Sequence, residues 1–185
     1  MLPDVRFDLA TDRGVFAADR VDPGTKLLLL DGPAPVPGDR VLADVGCGYG
    51  PIACTLAARN PGAAVWAVDV NGRARDLCRA NAERAGLGNV TVADPASIPA
   101  GLVVDRIWSN PPIRVGKAEL HGLLRIWLAR LAPEGSAHLV VQKHLGADSL
   151  HRWLEDEGWA VARRASRKAY RLLDVSRPTA ASAGS

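Results

Sequence analysis

From about residue 38 onward, the chain alternates between short apolar runs and amphipathic stretches, and this pattern constrains its fold more than any other feature. The apolar runs lack the strict alternation of a sheet with one solvated face, so we expect strands that are buried on both sides. Five such strands are predicted, at residues 41–45, 64–70, 90–93, 102–108 and 137–141, followed by a closing pair at 160–164 and 169–175. The pattern predicts an α/β fold in which crossover helices cover a doubly wound parallel sheet.

The amphipathic stretches between these runs predict the helices. The clearest stretch has apolar residues at the spacing of one helix face, namely Leu120, Leu123, Leu124, Trp127, Leu128 and Leu131. Pro133 and Gly135 are expected to stop this helix just beyond that face. Weaker patterns predict helices over 51–59, 72–85 and 147–157, the first of which has a proline in its first turn.

The chain of 185 residues is expected to form one folded domain with two appendages. Residues 1–37 are predicted to form an N-terminal extension or lid that ends in a Pro- and Gly-rich linker. Residues 38–175 are predicted to form the α/β domain, and residues 176–185 a flexible tail.

Composition narrows the class of protein. The formal net charge is +3, so total charge does not indicate a nucleic-acid partner. Three cysteines without a CxxC pair favour reduced thiols over a disulfide framework or a zinc site, and we expect no bound metal. We find no signal peptide and no apolar run long enough for a membrane span, and therefore expect a cytoplasmic protein without a membrane partner.

The densest local signal is the segment DVGCGYGP, residues 44–51, where the first strand of the domain should turn into its helix. Glycines there permit positive φ and close approach of a ligand to the backbone, while the helix N-terminus offers free N–H groups. Gly46, Gly48 and Gly50 do not follow the G-x-G-x-x-G spacing of a dinucleotide site. We interpret the segment as a ligand cradle, with a tight turn that holds no ligand as the alternative.

Two acids that follow the next strands favour the ligand interpretation. Asp69 ends an apolar run 23 residues after Gly46, where a carboxylate can accept hydrogen bonds from ribose hydroxyls. Capping the next helix is the alternative role for Asp69, although Asn71 can do this instead. Asp94 follows the third strand and is equally suited to bind an adenine amino group or to start the DPAS turn.

The segment SNPPI, residues 109–113, follows the fourth strand at the carboxyl end of the sheet, where such folds bind ligands. Consecutive prolines fix φ, force Asn110 out of the helical region and remove N–H donors, so Asn110 and the Pro111 carbonyl are expected to be rigid acceptors. Two acceptors around the hydrogens of a planar amine favour its rehybridisation and aim its lone pair, without a general base. The alternative is a Pro-Pro turn that only ends the strand.

In this order, the glycine loop, Asp69 and the NPP segment resemble the class I S-adenosylmethionine-dependent methyltransferases that methylate nitrogen. Within that class, the chain resembles the methyltransferase small domain family, which includes guanine-N2 methyltransferases of small-subunit rRNA. The resemblance runs from about residue 16 to 173 and rests on GVF, VDPGTKLLL, ADVGCGYGPIA, VDVNGRA, SNPPIRVGK and VVQKHLGA. It implies a mostly parallel, seven-stranded Rossmann-like sheet with an antiparallel C-terminal strand.

Carried over residue by residue, the resemblance implies a site for S-adenosyl-L-methionine and its product S-adenosyl-L-homocysteine. The residues implied in cofactor binding are Asp44, Gly46, Cys47, Gly48, Gly50, Asp69, Val70, Asp94, Asn110 and Thr25. Among them, Asp44 would lie near the cofactor's ammonium group and Val70 on its adenine ring, while Thr25 would close over it. The implied catalytic group is Asn110, Pro111, Pro112 and Ile113.

Ile113 departs from the family pattern, because many members have Phe or Tyr there, whose ring stacks on the target base. Phe16, in the N-terminal extension, is a candidate replacement.

Basic residues in two places indicate where RNA could contact the protein. Residues 163–177 hold six Lys and Arg against one Asp, a local net charge of +5, and further basic residues follow NPPI. The expected RNA contacts are Arg114, Lys117, Arg164, Arg167 and Lys168. The alternative for the C-terminal strip is an edge strand whose charges discourage aggregation.

Together, these features favour an enzyme that methylates an exocyclic amine of an rRNA base, with guanine N2 of the small subunit as the favoured acceptor. Its expected partner is ribosomal RNA or a ribosomal subunit, and no oligomeric state is indicated. One alternative acceptor is a protein glutamine amide or a small-molecule amine. A cofactor-binding module without catalysis, acting as an RNA-binding or assembly factor, is the other alternative.

Overall fold

A computed structural model describes residues 2–11, 21–112, 115–167 and 169–178. Within these ranges, seven strands form one sheet: β1 Val41–Val45, β2 Ala64–Val68, β3 Val90–Ala93, β4 Val104–Ser109, β5 Leu131–Gln142, β6 Ala160–Arg167 and β7 Tyr170–Ser176. The α-helices in the same ranges are α1 Pro23–Asp31, α2 Pro51–Arg59, α3 Gly72–Arg84, α4 Lys117–Leu128 and α5 Ala147–Asp156. None of these helices has the length and apolar character needed to cross a membrane.

The strand order is β3-β2-β1-β4-β5-β7-β6, so the chain starts in the middle of the sheet and winds outward in both directions. The first five strands pair in parallel, whereas β7 runs antiparallel to both of its neighbours, β5 and β6. This architecture confirms the expected doubly wound, mostly parallel sheet with an antiparallel C-terminal strand. Its topological switch point lies between β1 and β4, where a ligand crevice is expected.

Helices cover both faces of the sheet, which explains why the central strands are apolar throughout. On one face, α4 and α5 pack against inward residues such as Val45, Ile107 and Leu139. On the other face, α1, α2 and α3 pack against a second set that includes Leu42 and Trp108. A strand buried on both sides gains little from polar residues, so the strict period-two pattern is absent.

The largest difference from the sequence-based expectation is at the junction of α4 and β5. The helix ends at Leu128, and Leu131, expected on its apolar face, instead begins β5. Pro133 and Gly135, expected as stop signals beyond the helix, lie inside the strand. The register between β4 and β5 shifts here, because Val104 pairs with Leu131 and Arg106 with Ser136. An irregularity of this kind accommodates a proline and a glycine within a strand.

Gly135 has a steric role in that irregularity. A Cβ at this position would lie 2.9 Å from the carbonyl oxygen of Asp105, so the two backbones can approach this closely only at glycine.

The run of leucines at 27–30 in the N-terminal extension lies within α1. Asp22 caps this helix by accepting hydrogen bonds from the backbone N–H of Gly24 (2.8 Å) and Thr25 (3.1 Å). Leu28 and Leu29 are buried in the same apolar cluster as α2. Part of the extension therefore packs on the sheet, while its division from the domain at residue 37 stays a prediction.

Candidate functional site

A cavity of about 420 Å³ opens at the carboxyl ends of the central strands, at the switch point between β1 and β4. Each neighbouring strand contributes to its wall through the residues that follow or end it. These are Gly46, Cys47 and Gly48 after β1, Asp69 and Val70 after β2, Pro95 after β3, Asn110, Pro111 and Pro112 after β4, and Gln142 at the end of β5. Asp22 and Thr25 at the start of α1 also line it. The structure thus brings most of the predicted cofactor-binding and catalytic residues together.

The loop after β1 has the backbone conformation that its glycines predict. Gly46, Gly48 and Gly50 have φ values of 79°, 55° and 94°, in the region that favours glycine. The backbone N–H groups of Gly46 and Cys47 donate to the Val68 carbonyl at 2.8 and 3.0 Å, which ties the loop to β2. A Cβ on Gly48 would meet no atom within 4 Å, whereas one on Gly50 would lie 2.7 Å from Cys78 Sγ. Gly48 therefore keeps the cavity open, and Gly50 allows α2 to pack against α3.

Asp44 lies beneath this loop and not on the cavity wall, since its side chain is completely buried. Its Oδ2 accepts a hydrogen bond from the Ala53 backbone N–H at 2.9 Å, which holds the start of α2 against β1. Its Oδ1 has no hydrogen-bond partner in the described part of the chain. Burial raises the pKa of this carboxyl to about 8, with a smaller increase from the charge of Asp69 and an opposing effect of the Ala53 hydrogen bond. Contact with a ligand's ammonium group stays a prediction.

Asp69 connects β2 to the glycine loop. Its Oδ2 accepts a hydrogen bond from the Gly48 N–H and its Oδ1 from the Asn71 N–H, both at 2.9 Å. The cap of α3 is Asn71, whose side chain accepts from the Arg73 N–H, so Asp69 does not have the capping role that was its alternative. Each carboxylate oxygen of Asp69 retains a lone pair that can accept from a ligand hydroxyl.

Asp94 has the turn-forming role that was one of its two predicted possibilities. Its Oδ1 accepts from the Ala96 N–H at 2.9 Å, and its Oδ2 forms an ion pair with Arg75 at 3.0 Å. The same arginine donates to the backbone carbonyls of Asp69 and Val70, which braces the end of β2. Val70 projects into the cavity and is 79% exposed, a large exposed fraction for an apolar residue at a cavity wall. A contact of Asp94 with adenine stays a prediction.

The NPP segment is fixed from both sides. Ser109 Oγ donates to the Val45 carbonyl at 2.6 Å and joins the ends of β4 and β1. Asn110 Nδ2 donates to Asp22 Oδ2 at 2.8 Å and to Thr25 Oγ1 at 3.1 Å. An amide nitrogen has two hydrogens, and both have acceptors here, so Oδ1 is the atom of the Asn110 amide left for a ligand.

Several residues of the site have no assigned role in the sequence-based prediction. Asp22 is one of them, although its position before a proline is a helix N-cap signal. Its contact with Asn110 crosses 88 residues of sequence and has no local signal. Asn81 is another: its amide bonds both backbone groups of Ala10 and the carbonyl of Tyr49, which joins the N-terminal segment to the glycine loop.

The predicted RNA contacts are only partly described. Ile113, Arg114, Lys168 and the stacking candidate Phe16 lie outside the described residues, and Lys117 is exposed at the start of α4. Arg164 and Arg167 form ion pairs with Asp174 and Asp31. Two other arginines of the strip, Arg163 and Arg171, pair with Asp148. Acids from outside residues 163–177 thus lower the charge of the strip, and β6 is an edge strand, which favours the edge-protection alternative.

The cysteines are buried with free thiols, at Cys47, Cys54 and Cys78. Within the described ranges, no group of three or more His, Cys, Asp or Glu side chains could hold a metal ion.

Comparisons with known proteins agree with this geometry. A family model described as "Methyltransferase small domain" matches residues 6–174. The uncharacterized protein YbxB of Bacillus subtilis is 33% identical over 174 residues, which are 92% of this chain and 86% of YbxB. Ribosomal RNA small subunit methyltransferase C of Aeromonas hydrophila is 37% identical over 137 residues, which are 71% of this chain and 39% of that enzyme.

A solved structure shares the same fold. The T. thermophilus 16S rRNA N2 methyltransferase RsmC, in complex with AdoMet and guanosine, is 28% identical and aligns with a TM-score of 0.72. The alignment covers 89% of this chain and 46% of the RsmC chain. The present chain therefore spans less than half the length of both rRNA enzymes.

We expect Gly50→Ala to destabilise the fold more than Gly48→Ala. Either alanine must adopt positive φ, which costs about 1–2 kcal/mol. At position 50 the added methyl also collides with Cys78 Sγ, and overpacking of this kind costs about 1–3 kcal/mol more, whereas at position 48 it enters open space. Urea unfolding of both variants measures the difference. Equal losses of unfolding free energy would contradict the packing assigned to Gly50.

We expect the carboxyl of Asp44 to make the ligand-free protein less stable as pH rises from about 4 to about 8. The unfolded chain loses this proton near the ordinary pKa of 3.8, whereas the folded protein keeps it up to about 8. The folded state therefore binds more protons in that window, and the free energy of unfolding falls by at most about 1.4 kcal/mol per pH unit. Asp44→Asn should flatten this dependence in urea titrations at several pH values. Parallel pH profiles for the two proteins would show that Asp44 is ionised when buried.

Proposed function

The chain belongs to the methyltransferase small domain family, and on that premise we propose that it transfers the methyl group of S-adenosylmethionine to N2 of a guanine in small-subunit ribosomal RNA. That the protein is a methyltransferase follows from the family. The acceptor is the proposal, and one observation carries its chemical class, a planar amine: the Asn110 amide is fixed beside the cavity with Oδ1 as its acceptor.

The glycine-loop side of the cavity suits the cofactor. Its volume of about 420 Å³ falls in the range of small-molecule sites, and position 48 faces open space where a side chain would intrude. The loop backbone of Gly46 and Gly48, the Asp69 carboxylate and the exposed Val70 side chain would hold the methionyl, ribose and adenine parts. When bound, S-adenosylmethionine supplies an electrophilic methyl group.

The NPP side of the cavity suits a planar amine. Asn110 Oδ1 and the Pro111 carbonyl can accept the two hydrogens of an exocyclic amine, which directs its lone pair toward the methyl group. Because Asp22 and Thr25 already hold the Asn110 amide, this orientation costs no reorganisation when the substrate binds. Val115, Leu123 and Trp127 add apolar surface to the wall, which suits a flat base.

The choice of an rRNA guanine is supported by the relatives. RsmC, whose structure contains AdoMet and guanosine, aligns with 89% of this chain. Most of the present chain therefore matches part of each of these rRNA enzymes, 89% of it for RsmC and 71% for the A. hydrophila enzyme. Since that match is less than half of their length, recognition of the RNA itself must be tested directly.

The direct test uses small ribosomal subunits and naked 16S rRNA from a strain that lacks this gene, with radiolabelled S-adenosylmethionine. We expect label in RNA, at N2 of a guanine, when the modified nucleotide is mapped. Label in a protein or metabolite fraction would instead identify a glutamine amide or a small-molecule amine as the acceptor. Cofactor binding without label in any fraction would favour a non-catalytic assembly factor.

Asn110→Ala should lower kcat by about 100-fold to 1,000-fold, the usual cost of losing one preorganised catalytic hydrogen bond. The affinity for S-adenosylmethionine should change little, because the glycine loop and Asp69 are untouched. Single-turnover methylation and calorimetric titration of the cofactor measure the two quantities separately. Unchanged turnover would remove Asn110 from the reaction.

Asp22 should act as a positioning residue, and two substitutions separate this role from helix capping. Asp22→Ser keeps a capping oxygen for α1 but is too short to reach Asn110, so the free energy of unfolding should stay within about 1 kcal/mol. Its kcat should fall by about 10-fold to 100-fold, with the cofactor KM unchanged, because the Asn110 amide is no longer held. Asp22→Asn retains an acceptor oxygen and should keep most of the activity. Equal kcat values for the two variants would show that Asp22 is only a cap.

A further inference from the structure

Gln142 contributes another side-chain amide to the cavity wall, besides those of Asn110 and Asn71. Gln142 ends β5, and β5 lies parallel and adjacent to β4, which ends at Ser109 just before Asn110. The parallel pairing brings the carboxyl ends of both strands to the same edge of the sheet. Gln142 and Asn110 both contribute to the cavity wall there. Nothing in the family comparison gives Gln142 a role.

Tyr170 orients the Gln142 amide. Gln142 Nε2 donates to the Tyr170 hydroxyl at 3.0 Å, and the two residues are cross-strand partners between β5 and β7. The tyrosine ring lies against the start of α1, where a Cβ on Gly24 would be 2.7 Å from Tyr170 Cε1. The hydroxyl is therefore held in place by β7 and α1. This contact uses one of the two Nε2 hydrogens and turns the nitrogen toward Tyr170, so Oε1 is the acceptor that the Gln142 amide offers a ligand.

The Asn110 and Gln142 amides thus both donate through nitrogen, and neither amide oxygen accepts a hydrogen bond from another described residue. Asn110 Nδ2 is bound by Asp22 and Thr25, and Gln142 Nε2 by Tyr170. These partners share one helix: Asp22 caps α1, Thr25 lies in it, and Tyr170 contacts it at Gly24. A wall with two acceptor oxygens is complementary to a ligand that presents neighbouring N–H donors.

We propose that Gln142 Oε1 accepts a hydrogen bond from the ring N–H next to the target amine, so that this residue selects guanine as the acceptor base. In guanine, the N2 amine is adjacent to N1–H, a donor. In adenine and cytosine the ring nitrogen next to the exocyclic amine is an acceptor, and in a glutamine amide the neighbouring group is a carbonyl oxygen. Each of these would place a lone pair against Oε1. This inference rests on the proposed function and states which residue would recognise the guanine base.

The test measures nucleotide binding, separately from methylation of RNA. The full chain, saturated with S-adenosylhomocysteine, is titrated calorimetrically with guanosine monophosphate, its N1-methyl derivative and adenosine monophosphate. A correctly placed hydrogen bond to a base edge discriminates by about 10-fold to 100-fold. We therefore expect wild-type protein to bind guanosine monophosphate at least about 10-fold more tightly than the other two.

Substitutions at position 142 assign the preference to its oxygen. Gln142→Met keeps the length of the side chain but has no strong acceptor, and should lose the preference while its affinity for S-adenosylhomocysteine is unchanged. Gln142→Glu keeps an acceptor and should retain it. Tyr170→Phe removes the orienting hydroxyl and should reduce the preference partially. Arg152→Met, on the exposed side of α5, is the matched control and should behave as wild type.

Three outcomes would overturn the inference. If Gln142→Met keeps the wild-type preference for guanosine monophosphate, another group reads N1–H. If Gln142→Glu loses the preference as completely as Gln142→Met, an acceptor oxygen is not the cause. If wild-type protein shows no preference among the three nucleotides, guanine is not recognised by this pocket, and the assignment of Gln142 fails with it. If a protein without this preference still methylates RNA, the inference about Gln142 fails while the methyltransferase proposal stands.

Discussion

The two hydrogen bonds from the Asn110 amide to the start of α1 determine the chemical character of the cavity. An amide can present either a donor or an acceptor, and Asp22 and Thr25 commit its nitrogen so that the oxygen remains free. The prolines that follow prevent the backbone from relaxing into a helix and provide no N–H groups of their own. Ser109, bonded to the end of β1, fixes the segment to the strand that carries the glycine loop. The glycine loop and the NPP segment, where we propose that the methyl donor and acceptor bind, are therefore positioned by the same pair of strands.

This arrangement makes the N-terminal part of the chain a component of the site. The Asp22 carboxylate caps α1 and holds Asn110 with the same oxygen, while Gly24 allows Tyr170 to pack closely enough to orient Gln142. Farther upstream, Asn81 fastens Ala10 to the glycine loop. Proteins that stabilise a reacting geometry in this way have completed the reorganisation during folding, before a substrate binds. Such preorganisation costs folding free energy. Beneath the glycine loop, Asp44 is buried with one oxygen unpartnered in the described structure.

Sequence patterns predict the elements that depend on local signals, and they fail where distant residues decide the outcome. The strand runs, the positive-φ glycines and the cap at Asn71 are local, and the structure reproduces them. The start of β5 was predicted wrongly because its irregular pairing with β4, not its own sequence, allows Pro133 and Gly135 inside a strand. Summed along the sequence, residues 163–177 have a net charge of +5. In space, Asp31 and Asp148 approach the strip from other elements and lower it. The contact of Asp22 with Asn110 and the role proposed for Gln142 depend on tertiary contacts, so no spacing rule could identify them.

The most direct test of this account is an NMR measurement on the Asn110 side-chain amide in the ligand-free protein, with its resonances assigned by substitution. If the amide is held by Asp22 and Thr25 before any substrate binds, its two Nδ2 protons will exchange slowly with water and its nitrogen will have a high order parameter, close to that of the backbone. An Asn110 amide whose protons exchange as fast as those of exposed asparagines, with a low order parameter, would contradict a preformed acceptor and with it the central claim about this site.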